Sequence, residues 1–294
     1  MPPRAIVELL ALALLWGSAY LFTRSAVPAF GPVPMVAVRF ALASCVLLPV
    51  VALTGRLAML NEHKARFVFL GVLFTAMPFM LISFSAQSLS AGMLSILNAT
   101  APLFGAIVAR VWLKERISPL RAIGLLLGFG GVTLLLWGRT ATAPGALLAV
   151  GLMLTVSLMW GFAANYSRAR LGHVDPIVLA TGNTVVAALL VAPLALPQWP
   201  VEAPGTRAWV EVLFMGLASS AAGMLLYFRL LARIGTVPTM SVTFMTPVVA
   251  VVAGAFYLDE PITLRTVVGG SIVLAGTALT LGLFDRTAGA APRT

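Results

Sequence analysis

The chain has 294 residues, of which 60% are hydrophobic and 10% charged, with a formal net charge of +10 and a mean hydropathy of +1.02. That balance leaves too few polar groups to cover a water-soluble globule of this size and predicts an integral membrane protein. The cationic excess is explained by membrane topology, and no basic soluble stretch is present to carry nucleic acid.

Charged and proline-rich breaks divide the sequence into ten apolar stretches of roughly 18 to 23 residues, the length that crosses about 30 Å of hydrocarbon as helix. They fall at 5–23, 34–53, 66–86, 91–112, 120–138, 146–166, 176–196, 208–229, 236–257 and 264–284. The first carries Trp16-Gly17-Ser18 and is expected to be a retained span, because its counterpart lies in mid-chain where no signal peptide occurs. The second holds Arg39-Phe40 and the single cysteine, Cys45, expected to be a small buried packing residue. Pro78 interrupts the third, and the fourth contains Asn98 and Pro102 and runs into Lys114-Glu115-Arg116. Gly124, Gly128 and Gly131 line the fifth, Trp160 and Asn165 mark the sixth, and Asn183 the seventh. Gly223 lies in the eighth, Thr243 and Pro247 in the ninth ahead of Asp259-Glu260-Pro261, and Gly269, Gly270 and Gly276 in the tenth.

Residues 16–49 recur 144 positions later, and residues 71–131 recur 145 positions later. Trp16-Gly17 matches Trp160-Gly161, Arg24 matches Arg168, Pro102 matches Pro247, and Glu115 matches Glu260. One residue inserted in the polar segment before Gly71 accounts for the shift. The division is therefore expected at 1–140 and 141–294, five spans each. Five is odd, so the second half enters the membrane from the opposite side, the inverted repeat of alternating-access carriers. With both termini cytoplasmic, only Arg24, Arg39, Arg139, Arg207 and Arg265 of the 19 cations lie on the outer side. The expected fold is all-α and integral to the membrane, ten transmembrane helices in two inverted five-helix repeats, N-in and C-in.

The Trp16-Gly17-Ser18 and Arg39-Phe40 elements, with Pro102 thirteen residues before Glu115 and its duplicate from Pro247 to Glu260, resemble the drug/metabolite transporter superfamily. The match covers nearly the whole chain and is nearest to the ten-helix EamA-type branch of YddG-like amino-acid and metabolite exporters. The resemblance implies a small-solute carrier with a central cavity lined by the first, third and fourth helices of each half. Asn183 stands where Arg39 would repeat, so the implied cavity is electrically asymmetric.

The residues themselves supply candidate solute contacts. A mid-helix proline cannot donate to the carbonyl four residues earlier and kinks the helix. Pro102 and Pro247 thereby free the carbonyls of Asn98 and Thr243, repeat partners that are both polar. They mark a solute-contact site at the midplane or a purely architectural kink. Pro78 and Gly223 form a second breaker pair, and matched interruptions in two halves point to a binding site. Trp16 and Trp160 reach about 18 Å in from opposite faces at 1.5 Å per residue, deep enough to close a cavity or stack on a solute. Trp112, Trp137, Trp199 and Trp209 lie at span ends, as interfacial anchors do. Arg39 either attracts a solute carboxylate or snorkels to the outer surface. Asn165 and Asn183 either hold helices together or bind solute. Ser18 joins the candidate set through its motif, whereas Glu115 and Glu260 are expected to serve loop structure and helix capping.

All nine acidic residues fall at or near span ends, which leaves no midplane carboxylate to carry a proton or hold sodium and favours a facilitator. His63 and His173 lie in loops without a metal-ligand spacing, and no protease or hydrolase constellation appears, so neither enzyme activity nor a cofactor is expected. The glycine faces suit close helix packing, either between the halves or in a dimer, so a monomer or a homodimer is expected. The sequence points to an exporter of amino acids or related amphipathic metabolites in the bacterial inner membrane. Its rivals are a lipid or sugar-conjugate translocator and a non-transporting receptor or assembly subunit.

Overall fold

The computed structural model describes residues 3–115, 117–136, 145–234, 239 and 242–281. Arg116, Trp137, Arg139 and Asp285 lie outside the described residues. Every regular element among the described residues is helical, as a bilayer demands when each backbone polar group must be satisfied within its own segment.

Helix α1 (Pro3–Phe30) and α2 (Pro32–Leu53) are joined through Gly31 at φ 78°, and the short α3 (Leu57–Glu62) follows. Next, α4 (Lys64–Leu70) continues through a π-helical turn, Gly71–Ala76, into α5 (Met77–Ser85). Helix α6 (Ala91–Asn98) stops and α7 (Ala101–Trp112) restarts two residues later, with Pro102 in its first turn, where a missing N–H costs nothing. Helices α8 (Pro119–Leu136), α9 (Ala146–Leu171) and α10 (Pro176–Ala195) follow. The remainder is α11 (Thr206–Leu213), a second π-helical stretch Phe214–Ala222, α12 (Gly223–Ile234), α13 (Val242–Leu258) and α14 (Leu264–Thr280).

Seven of these helical runs are long and apolar enough to cross a membrane, and three shorter apolar helices cover 119–135, 242–258 and 264–280. The seven overlap the first four and the sixth to eighth apolar stretches of the sequence. The protein is a multi-pass, all-helical membrane protein.

The packing partners recur at the spacing of the sequence repeat. Helix α2 lies against α10 and against the π stretch 214–222, while α10 lies against the π stretch 71–76. Helix α1 packs on α13, α9 packs on α7, and α8 pairs with α14. The close approaches match in detail. A Cβ on Gly71 would stand 2.4 Å from Val186 and 3.3 Å from the Asn183 carbonyl; one on Gly216 would stand 2.7 Å from Leu42 and 3.0 Å from the Arg39 carbonyl. These are repeat-equivalent contacts, residue for residue.

The glycine faces of α8 and α14 meet inside the chain. A Cβ on Gly276 would fall 2.3 Å from the Gly128 nitrogen, and one on Gly131 would fall 2.9 Å from the Gly269 carbonyl. Without a hydrophobic force between helices in lipid, such backbone-to-backbone contact is what holds a pair together. Of the two surfaces these glycines suit in sequence, they join the one inside the chain. Cys45, expected to be buried, is exposed on α2, where Ala43 and Leu47 on either side of it are the residues turned into the core.

Candidate functional site

The two π-helical stretches prepare the central contacts. In the second, the Gly223 N–H reaches back five residues to the Ala218 carbonyl and passes over Ser219. The skipped Ser219 carbonyl accepts the indole N–H of Trp16 at 3.2 Å. In the first, Pro78 has no N–H for the Phe74 carbonyl, which accepts the indole N–H of Trp160 at 2.8 Å. Phe74 and Ser219 are themselves repeat partners. The breaker pair Pro78 and Gly223 thus supplies an acceptor for the tryptophan of the opposite half. Gly223 also clears space, since a Cβ there would lie 2.8 Å from Trp16 Nε1. Both rings have aromatic neighbours: Tyr227 at 5.3 Å for Trp16, and Phe79 at 5.8 Å for Trp160.

Arg39 sits against the second of these stretches. It is 5% exposed, which overturns snorkelling to the surface: α2 turns this side of the helix toward the π stretch, so the side chain runs inward. Its Nε donates to Ser220 Oγ at 2.8 Å, and a terminal nitrogen reaches Ser219 Oγ at 3.5 Å. The guanidinium carbon lies 4.5 Å from the centroid of the Phe79 ring and 5.7 Å from that of Phe40. None of the ion pairs among the described residues includes Arg39. Hydroxyls and ring faces hold the cation in place without neutralising it. The Tyr20 side chain lies within electrostatic reach of Arg39 and beside Asn98, whose Oδ1 is buried without a hydrogen-bond partner. A buried donor fork and a buried free acceptor thus flank one tyrosine.

The remaining candidates divide. At the position equivalent to Arg39, Asn183 is 4% exposed and its Oδ1 has no partner; the hydroxyl of Thr75, the counterpart of Ser220, is buried without one too. Asn165 holds helices: its Nδ2 donates to the carbonyls of Gly105 at 3.0 Å and Gly161 at 2.8 Å. Ser18 turns back on its own helix, bonding the Leu14 and Leu15 carbonyls, which is the usual fate of a mid-helix serine without a polar neighbour. Pro102 breaks its helix outright, whereas Pro247 sits inside the continuous α13. The Thr243 carbonyl that Pro247 frees is taken by Thr246 Oγ1 at 3.3 Å, so it is not bare.

The ends of the helices bear out capping for one of the two glutamates. Ser118 and Thr263 cap α8 and α14 by accepting the N–H groups of Arg121 and Thr266. Glu260 caps α6, with both carboxylate oxygens 3.0 Å from the Ala91 nitrogen, whereas Glu115 pairs with Arg168. His63 and His173 come edge to face at 5.4 Å.

Sequence reasoning missed Tyr20, Phe79 and the Ser219-Ser220 pair, although two adjacent hydroxyls in an apolar span were a legible signal. It also placed Glu211 with the span-end acids. Glu211 is 3% exposed and accepts from Ser25 at 2.7 Å, Arg207 at 3.1 Å and Tyr257 at 3.1 Å. Beside it an open-mouthed cleft of about 530 Å³ is lined by Arg24, Ala29, Arg207 and Glu260 among others.

Comparison with known proteins adds an independent line. The model of the EamA-like transporter family matches residues 3–137 and again residues 147–282. An uncharacterized transporter of Archaeoglobus fulgidus is 26% identical, over 89% of this chain and 92% of its own. The uncharacterized inner membrane transporter YedA of Escherichia coli K12 is also 26% identical, over 94% of this chain and 90% of its own. The uncharacterized transporter YoaV of Bacillus subtilis is 21% identical, over 96% and 98%. One solved crystal structure shares the fold with a TM-score of 0.70 at 18% identity, over 97% of this chain and 100% of its own.

Proposed function

Because the chain belongs to the EamA-like transporter family of drug/metabolite transporters, we propose that it exports amino acids or related amphipathic metabolites across the bacterial inner membrane. Ten spans in two inverted halves, divided near residue 140, rock around a central site by alternating access. The reciprocal contacts support this reading: each tryptophan grips the opposite half's π-helical stretch, and each stretch lies against the opposite half's second span. Such paired contacts allow two rigid bodies to move about one centre.

One observation carries the solute assignment, the buried Arg39 cation that has no carboxylate partner among the described residues. An intramembrane cation of this kind is functional by default, and its guanidinium fork matches a carboxylate. The free Asn98 Oδ1 near Tyr20 provides an acceptor for an ammonium group. The partly buried rings of Phe79 and Trp160 offer faces for an apolar side chain. Together these groups complement the zwitterion and side chain of a large apolar amino acid. The inner-membrane assignment draws on the name of the Escherichia coli relative.

The test is counterflow. Liposomes holding the purified protein are loaded with unlabelled amino acids and then given labelled ones without any ion gradient. Label that accumulates with wild type and not with Arg39→Gln supports the reading. Folded wild-type protein that exchanges no amino acid removes the substrate assignment.

A further inference from the structure

The repeat pairs Arg24 with Arg168 and Glu115 with Glu260, yet the two copies of this charge pair are in different states. Near one end of the molecule Arg168 and Glu115 form an ion pair at 2.5 Å. Near the other, Arg24 and Glu260 line the same cleft but are bonded elsewhere. Arg24 donates to the Ala86 carbonyl at 2.6 Å and the Gln87 carbonyl at 3.2 Å, at the end of α5. Glu260 holds the Ala91 nitrogen at the start of α6. The two charges therefore grip opposite ends of one short turn, residues 86–90.

The backbones around the two glutamates do not differ. Lys114 and Asp259 take the same left-handed conformation, at φ 57° and 52°. The N–H of Glu115 returns to the Ala109 carbonyl at 3.2 Å, and that of Glu260 to the Gly254 carbonyl at 3.1 Å. One difference beside the two carboxylates is a methyl group. A Cβ on Gly254 would lie 2.5 Å from Glu260 Oε2, so glycine is what lets this carboxylate fold back onto Ala91. The repeat equivalent of Gly254 is Ala109, whose methyl takes up that space, and Glu115 is paired with Arg168.

We propose that these are the two positions of a reciprocal charge-pair switch. In this structure the Arg168–Glu115 pair is made and the Arg24–Glu260 pair is open on the cleft. When the cleft closes, Glu260 leaves Ala91 and pairs with Arg24, while Arg168 and Glu115 part at the opposite end. The inference rests on the alternating-access reading above. It assigns the gating charges and explains why the second copy of the motif carries Gly254.

The test reads cleft exposure directly, through labelling of Ala29→Cys by a membrane-impermeant maleimide in a Cys45→Ser background. Arg24→Gln and Glu260→Gln remove the closed-cleft pair and raise the labelling rate, roughly two- to fivefold for a partly solvated ion pair. Glu115→Gln and Arg168→Gln lower it by a similar factor. Glu260→Gln also weakens the cap on α6, so two variants that retain both charges are included. Gly254→Ala expels the carboxylate toward Arg24 and lowers labelling. The exchanged pair, Arg24→Glu with Glu260→Arg, returns it toward wild type. Labelling that stays constant across all of these, in protein that still performs counterflow, overturns the switch and leaves the carrier reading standing. The predicted labelling shifts in folded protein that exchanges no amino acid support the switch and remove the substrate assignment alone.

Discussion

Arg39 is held by hydroxyl groups and aromatic faces, which hold the guanidinium without neutralising it. Lysine keeps the charge but loses the planar fork and its fit over Phe79. Arg39→Lys is expected to weaken half-saturation of counterflow by roughly one to two orders of magnitude, the loss of a charge-assisted contact worth about 1.5–3 kcal/mol. An unchanged half-saturation in folded Arg39→Lys would show that the guanidinium does not meet the solute. Sequence reading reached Arg39 because a cation inside an apolar span stands out. It did not reach Tyr20 or Phe79, since an aromatic residue in a membrane helix carries no mark of which neighbour it serves.

Among the elements, the π-helical stretches are where breaks in the helix become contacts between segments. Pro78 leaves the Phe74 carbonyl to Trp160, so Pro78→Ala returns a competing N–H to that carbonyl. The exchange rate is expected to fall about fivefold, the equivalent of one net hydrogen bond near 1 kcal/mol, with little change in thermal stability. An exchange rate equal to wild type would separate the tryptophan bond from transport. The α8–α14 pair gives a contrasting prediction, because Gly276 meets backbone rather than flexible side chain. Gly276→Leu forces the helices apart at a cost above the roughly 1–3 kcal/mol of ordinary overpacking and should lower the melting temperature in detergent. A melting curve unmoved by that substitution would mean that the glycine faces do not hold the two helices together. The sequence marked these glycines and breakers by their matching offsets, but the offsets alone do not say which helix each one faces.

For the molecule as a whole, the disposition of acids bears on energetics. Glu211 is buried, but Ser25, Arg207 and Tyr257 satisfy it. Acids tied up in this way are poor coupling sites, so counterflow is expected to persist when proton and sodium gradients are collapsed by ionophores. Loss of exchange under those conditions would establish ion coupling and return attention to Glu211. The sequence by itself determined the membrane class, the order of the helices and the internal repeat. Apolar runs must become helices in lipid, and a duplication is written in the order of residues. Only the tertiary structure decided that Arg39 lies inside, that each tryptophan reaches across to the other half, and that the two Arg–Glu copies differ. Those outcomes depend on which faces of the helices meet and on single methyl groups at the contact, and neither is encoded in hydropathy or spacing.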